Sequence, residues 1–385
     1  MHVLLLTSAY KNKFNPINAL FFYDQARALL NNGFKVGVIC PMPITFVNIL
    51  KSKRFIFSDE FYDDDRIITY VKPFLSIPKQ KKRTANIRLN EGKRLFKKYI
   101  KENGMPDIIH VHTFLAGEIA LWIKDKYKIP FVVTEHSTGF ARGIYNKRQL
   151  QIAKKVYTNS ECNIAVSEPF CSLLKDKTSH NFKYIPNVVA TDFFTPLVKK
   201  SNTKKFTFLN VAHLDIKKNQ LGLIKAFKKS FFGQNSFQLK IVGDGSELKN
   251  LSDYIRDEKL DLQVHLLGKK NRNEVKFEMQ QADCFVLSSY HETFGVVLIE
   301  AMSCGLPVLS TKSGGPESII KSSKLGKLCD LKDLDIEMLK IVKSNYNSDY
   351  IRKYVVNNFS EIPFSQSLSK IYDSCVNKQK KYSNA

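Results

Sequence analysis

The feature that most constrains this chain is an alternation, repeated twice, of short apolar runs with amphipathic stretches. In the first round, strand-like runs fall at 3–7, 35–40, 67–71, 108–112, 131–134 and 163–166, with helical patterns at 20–31 and 115–127. A break follows at Tyr184-Ile185-Pro186-Asn187 and continues through Pro196 and the polar run 199–205. The pattern then restarts, with strands at 206–211, 238–242, 263–267, 284–288, 308–310 and 326–329. Helices are expected there at 220–229, 246–258, 273–281, 297–304 and 316–321. Parallel strands need a crossover between them, usually a helix, so this alternation reads as βαβ units. The expected fold is α/β: two doubly wound, Rossmann-like domains, 1–190 and 191–365, facing each other across a cleft. Residues 366–385 are expected to form a helix packing back toward the first domain. Ligands of such sheets sit at the carboxyl ends of the strands, which places the site in the cleft.

Composition narrows the class. The 385 residues are 43% hydrophobic and 25% charged, which excludes a largely disordered chain. No apolar run approaches the roughly 18 residues of a spanning helix, and no secretory leader is visible. Seven scattered cysteines, never spaced Cys-x-x-Cys, read as reduced thiols of a cytoplasmic protein.

Charge stays open longer. The net charge is +24, and between 79 and 101 ten basic residues face only Glu91. Upstream, 46–57 mixes apolar and basic residues with no acid. Either these are ordinary solvated helix faces, or they form a surface that docks on an anionic membrane. Nucleic acid is disfavoured, because no aromatic stacking motif accompanies the basic residues.

Two familiar phosphate-binding patterns are missing. Thr7-Ser8-Ala9-Tyr10, after the first strand, contains no glycine, and no Gly-Lys-Ser/Thr follows any strand. Gly243-Asp244-Gly245 has two glycines but Leu248 in place of the third. The informative string runs from Ser288 to Val308 and includes Glu292-Thr293-Phe294-Gly295-Val296-Val297 and Glu300-Ala301-Met302-Ser303-Cys304-Gly305-Leu306-Pro307. A strand ends at its start, a loop carries Glu292, and a helix opens after Gly295. Glycine there lets backbone approach a ligand, and the free N–H groups of the helix start form an anion site. A second glycine turn, Ser313-Gly314-Gly315-Pro316-Glu317, follows the next strand.

This string resembles the signature of the retaining GT-B glycosyltransferases of family four, the "group 1" glycosyl transferases: Glu, seven residues, Glu. The resemblance extends to Asp107-Ile108-Ile109-His110-Val111-His112, Ile185-Pro186-Asn187, Val211-Ala212-His213-Leu214 with Lys218, Val242-Gly243-Asp244-Gly245 and Gly314-Gly315-x-Glu317, all in the family's order. It implies a GT-B fold and a nucleotide diphosphate sugar as co-substrate, UDP-sugar favoured over GDP-sugar, with no further cofactor and no metal.

Roles follow residue by residue. Glu300 matches the carboxylate on the ribose hydroxyls, and Glu292 the contact to donor-sugar hydroxyls. The backbone of Phe294, Gly295, Val296 and Val297 matches the sugar- and phosphate-binding segment, and Gly268 also falls among the donor-binding positions. Lys218 matches a diphosphate-binding lysine that steadies the leaving group. His213 replaces the family's usual arginine, so it is either a weaker phosphate contact or another base has taken over. In the first domain, His136 matches a cleft histidine that contacts the transferred sugar, a structural histidine being the alternative. Ala19 stands where the family's first loop has glycine. His110 and His112 read as strand-end or second-layer residues, since no third metal ligand is evident.

The implied reaction is α-retaining transfer of a hexose through an oxocarbenium-like transition state. A double displacement with Glu292 as nucleophile ranks lower. The expected acceptor is a lipid-linked glycan in surface polysaccharide synthesis, and the enzyme is expected in the cytoplasm or peripherally on the membrane's inner face. A nucleotide-sugar epimerase on the same fold and a charge-driven nucleic-acid binder are the rival readings.

Overall fold

The computed structural model describes residues 1–12, 19–46, 59–64, 66–77, 80–197 and 205–383. Most of the apolar-basic segment 46–57, loop residues 15–18, Lys79 and most of the run 199–205 lie outside these. The chain divides into two compact units, Met1–Val188 with Glu361–Ala385, and Val189–Ser360.

The first unit is built on eight strands: β1 (His2–Leu6), β2 (Lys35–Ile44), β3 (Glu60–Asp64), β4 (Ile67–Leu75), β5 (Ile108–His112), β6 (Phe131–Glu135), β7 (Cys162–Ala165) and β8 (Lys183–Tyr184). Their order is β3-β4-β2-β1-β5-β6-β7-β8. All pairs are parallel except β3 on β4 at the edge. Its helices are α1 (Leu20–Asn31), α2 (Lys81–Asn103), α3 (Gly117–Tyr127), α4 (Lys147–Asn159) and α5 (Glu168–Thr178). Strand order reverses around β1, which has β2 on one side and β5 on the other. That switch point opens a crevice at the carboxyl edge of the sheet.

β2 and β4 run four residues beyond their expected ends, and prolines explain the shortfall. Pairing of β2 to β1 stops at Leu6↔Ile39, so Pro41 and Pro43 lie where β2 pairs only with β4. A missing N–H is tolerated on such a one-sided stretch.

The second unit has a wholly parallel sheet, β9 (Phe206–Val211), β10 (Phe237–Val242), β11 (Val264–Leu266), β12 (Cys284–Leu287), β13 (Val308–Thr311) and β14 (Gly326–Cys329). Its order is β11-β10-β9-β12-β13-β14. The helices are α6 (Gln220–Phe231), α7 (Leu248–Asp257), α8 (Arg272–Gln281), α9 (Val296–Ser303), α10 (Leu334–Val342) and α11 (Ser348–Phe359). The helix expected at 316–321 is instead a single 3₁₀ turn, Pro316–Ser318. Beyond it Ile319, Ile320 and Leu325 are all buried, and the chain between them runs through turns instead of continuing a helix.

At Ser360 the backbone is extended, which ends α11. The last helix, α12 (Glu361–Ser383), starts directly afterwards. Pro363 falls in its first turn, where the absent N–H has no partner to lose. Phe364, Leu368, Ile371, Tyr372 and Cys375 recur at helical spacing and are buried in the same core as β1, β2 and α1.

Candidate active site

In the second unit, the loops after β9 and β12 meet at the carboxyl edge of the sheet. After β9 the chain passes His213 and makes one 3₁₀ turn, Ile216–Lys218. After β12 comes Ser288, fully buried, whose hydroxyl donates to the carbonyls of Lys218 (3.0 Å) and Asn219 (3.2 Å). The Tyr290 N–H donates to the Lys217 carbonyl at 2.8 Å. Across this seam Lys218 Nζ donates to Glu292 Oε1 at 2.5 Å, and Ser289 Oγ donates to the same oxygen at 2.7 Å. The two charged side chains are 18% and 9% exposed, so their attraction is little screened.

Glycines allow loops to lie directly on this pair. A Cβ on Gly315 would sit 2.4 Å from the Phe294 N, Cα and O, and one on Gly314 would stand 3.0 Å from the Glu292 carbonyl oxygen. Both carboxylate oxygens of Glu317 accept from the Gly314 N–H at 3.0 Å and hold that turn. On the other flank, Cβ atoms on Gly243 and Gly245 would meet the carbonyl oxygens of Ala212 (1.9 Å) and Leu214 (2.1 Å). The 243–245 turn therefore braces the segment that carries His213. Gly268 is left-handed, φ 69°, and its carbonyl accepts from the Gly243 N–H at 2.9 Å.

Gly295, φ 99°, starts α9, and no side chain caps that helix. Its N-cap glycine offers the first N–H groups no side-chain acceptor, and these groups follow Glu292 closely in sequence. Phe294 is buried, its ring edge-on to Phe359 at 5.9 Å. Val296, Val297 and Glu300 are half-buried on α9. His213 is exposed, and its carbonyl accepts from the Asp215 N–H (3.0 Å) and Gln220 Nε2 (3.2 Å).

The first unit places His136 just after β6, where it joins two other histidines. The rings of His110 and His112 stack at 4.4 Å, and those of His112 and His136 at 5.3 Å. His112 Nδ1 and His136 Nε2 are 3.1 Å apart, so one donates to the other. His110 bonds the Tyr372 hydroxyl (2.6 Å) and Thr134 Oγ1 (2.7 Å). Burial pushes His110 and His136 down to about 3 and His112 well below 6.5; their mutual repulsion lowers His112 and His136 further. The stack is neutral at ordinary pH. Among the described residues, no group of three His, Cys, Asp or Glu side chains could hold a metal ion.

Beneath His136 lies Glu135, fully buried. Its oxygens accept from the N–H groups of Phe114 (3.0 Å), His136 (3.0 Å) and Ser137 (2.9 Å) and from the Tyr157 hydroxyl (2.9 Å). Ala19 caps α1 in the left-handed region, φ 52°, a conformation glycine adopts at less cost.

Two family profiles match the chain almost end to end. "Glycosyltransferase Family 4" covers residues 19–193, and "Glycosyl transferases group 1" covers 195–354. The chain belongs to glycosyltransferase family 4. It is therefore a retaining glycosyltransferase of GT-B fold that takes its sugar from a nucleotide sugar. Among curated relatives, the UDP-Gal:alpha-D-GlcNAc-diphosphoundecaprenol alpha-1,3-galactosyltransferase of Escherichia coli is 26% identical over 306 residues, 71% of this chain and 76% of that one. Sucrose-phosphate synthase from Thermosynechococcus elongatus superposes with a TM-score of 0.76 at 18% identity, covering 97% of this chain and 99% of the other. Anabaena Alr3699/HepE in complex with UDP gives 0.72 at 17%, covering 97% and 100%.

In this glycosyltransferase, the second unit brings Lys218, Glu292, Phe294 and Gly295 together, while His136 and Ala19 lie in the first. Sequence reading missed the residues that hold the site rather than face a ligand. Ser288 stood at the strand end that opens the quoted string, Ser289 followed it, and Glu135 stood beside His136. The signal available was position, a small hydroxyl or buried acid at a strand's carboxyl end. Their partners are distant in sequence: Ser288 and Lys218 are 70 residues apart.

Proposed function

We propose that this glycosyltransferase transfers a hexose from a UDP-sugar, with retention at the anomeric carbon, to a hydroxyl of a lipid-linked glycan in surface polysaccharide synthesis. The observation that carries the donor reading is the Lys218–Glu292 pair beside the uncapped start of α9. A cation and free N–H groups next to an acceptor-only carboxylate suit a diphosphate joined to a polyhydroxylated sugar. Glu300 binds the ribose hydroxyls, and the backbone of Phe294 to Val297 binds sugar and phosphate. Gly268 and Ala19 border the nucleotide, His213 is an accessory phosphate contact, and His136 contacts the transferred sugar.

As the glycosidic bond to phosphate lengthens, positive charge grows on the sugar and negative charge on the diphosphate. Lys218 and the helix start stabilise the second, and the acceptor hydroxyl attacks on the face the phosphate leaves, passing its proton to the departing phosphate oxygen. The UDP named with HepE and the UDP-Gal donor named for the E. coli relative support the base assignment. That relative's diphosphoundecaprenol substrate supports a lipid-linked acceptor. Basic α2 favours docking on an anionic membrane, although Arg94 is already held by Asp59 and Glu91. Among the described residues, no helix is long and apolar enough to cross a membrane.

A thermal-shift screen of nucleotide diphosphates and their sugars tests the donor. UDP at about 100 times its dissociation constant should add roughly 2.7 kcal/mol of apparent stability. A shift with GDP alone would overturn the base assignment, and UDP release at full rate without acceptor would overturn transfer. A covalent glycosyl adduct trapped on Glu292 would replace front-face attack with double displacement.

A further inference from the structure

The first unit contains a cavity of about 1080 Å³ that the donor reading does not use. Ser76 and Ile77 line it just beyond β4, Phe114 and Leu115 just beyond β5, and Arg148 and Gln149 after the loop that leaves β6. It therefore opens at the carboxyl edge of the first sheet, the ligand edge of a doubly wound fold.

Its charge is one-sided. Lys81, Lys82, Arg83, Arg88 and Arg148 line it, and among the described residues Glu118 is the only acid that does. Two helix starts border it. That of α4 is closed by the Asn146–Gln149 capping box, whereas α2, 23 residues long, has no side-chain cap at Gln80. Lys81 Nζ reaches Gln149 Oε1 at 3.4 Å and links the two starts.

The decisive group is Arg88. Its Nη1 donates to the Leu115 carbonyl at 3.2 Å, but its buried Nε has no hydrogen-bond partner. Among the described residues it makes no ion pair; burial lowers its affinity for its proton, and the nearby charges of Cys40 and Glu118 offset part of that. A guanidinium carries five donors; Nε is sealed off from the cavity, so the terminal nitrogens are what half-buried Arg88 offers an anion there. A planar fork is also the geometry that grips a phosphate through two oxygens. Beside it, Ile77, Phe114 and Ile152 supply an apolar wall.

We propose that this cavity is an acceptor subsite that holds the phosphate or diphosphate of an amphiphilic acceptor. Arg88 and the start of α2 take the phosphate oxygens, and the apolar wall takes the first part of the lipid chain. The inference rests on the lipid-linked acceptor proposed above. It adds the group recognised and the residues that recognise it.

The test titrates the full chain, with UDP saturating, against three probes: inorganic pyrophosphate, a water-soluble short-chain prenyl diphosphate, and phosphatidylglycerol vesicles. Prenyl diphosphate should bind more tightly than pyrophosphate. Arg88→Gln should weaken it at least tenfold, as should Lys82→Ala/Arg83→Ala, a pair on the exposed first turn of α2 chosen because its loss leaves the fold intact. UDP affinity, measured separately, should not change. Equal prenyl diphosphate affinity in native chain and both variants overturns the proposal, as does binding to vesicles alone. Tighter binding of pyrophosphate than of the prenyl compound also overturns it, because it would mark a site for free anions. If the native chain binds no UDP, the donor assignment falls, and the prenyl titration repeated without UDP still decides this subsite.

Discussion

Lys218 Nζ lies 2.5 Å from Glu292 Oε1, which makes the cation proposed for the leaving diphosphate and the carboxylate proposed for the sugar hydroxyls one ion pair. Removing either partner leaves a poorly hydrated charge alone. Lys218→Met and Glu292→Gln should each destabilise the chain. The double variant should be more stable than the sum of the singles predicts, with a coupling of about 0.5–3 kcal/mol in urea denaturation. In turnover, Lys218→Met should cost roughly 10²–10³ in kcat, as for loss of one preorganised donor to a developing anion. Near-native kcat in that variant would remove Lys218 from the leaving-group role.

Glu300 and Glu292 should separate by kinetics. Glu300→Ala should weaken UDP binding by about 1.5–3 kcal/mol, the range for hydrogen bonds to a charged group, read by calorimetry. Glu292→Ala should mainly lower kcat and leave UDP affinity within a few-fold. The reverse pattern would exchange the two roles.

The histidine stack gives the stability a pH slope. Folded His110 and His136 take up protons only near pH 3, whereas the unfolded chain takes them up near 6.5. The unfolded state therefore binds more protons across that window, and stability falls as pH drops from 6.5 toward 3. Glu135 acts with the opposite sign, because burial raises its carboxyl in the folded state. His110→Asn leaves Glu135 in place and should flatten the fall in urea midpoint between pH 7.5 and 5.5. An unchanged slope would show that the ring does not stay neutral.

Two glycine–alanine exchanges should move stability in opposite directions. Ala19→Gly relieves a left-handed alanine worth about 1–2 kcal/mol, offset by about 0.5–1 kcal/mol of added chain entropy, for a small net gain. Gly315→Ala forces a methyl to 2.4 Å from the Phe294 backbone. It should cost more than about 2 kcal/mol and abolish UDP binding, because the Phe294 backbone proposed to bind the phosphate must move. Thermal melts with and without UDP check both.

The strands were readable because a parallel strand covered on both faces is a nearly unbroken apolar run. Val3, Leu4, Leu5 and Leu6 are at most 1% exposed. The antiparallel edge strand β3, Glu60-Phe61-Tyr62-Asp63-Asp64, lacks that signature. α2 was visible as charge rather than as a helix, since it buries only Thr84, Gly92, Leu95, Phe96 and Tyr99. At the site, the spacing of Glu292 and Glu300 is a local property that a sequence displays. The Lys218–Glu292 pair, the His112–His136 bond and the partnerless Nε of Arg88 exist only once separate strands stand side by side.

Because α12 supplies Phe364, Leu368, Ile371 and Tyr372 to the core that β1 begins, the first unit is closed by residues synthesised after the whole of the second. The whole second unit, Val189–Ser360, must leave the ribosome before that core is complete. At about 5–20 residues per second, this is a delay of ~10–40 s. During that interval apolar surface on α1 and β1 lacks its cover, which makes the nascent first unit a natural client for chaperones.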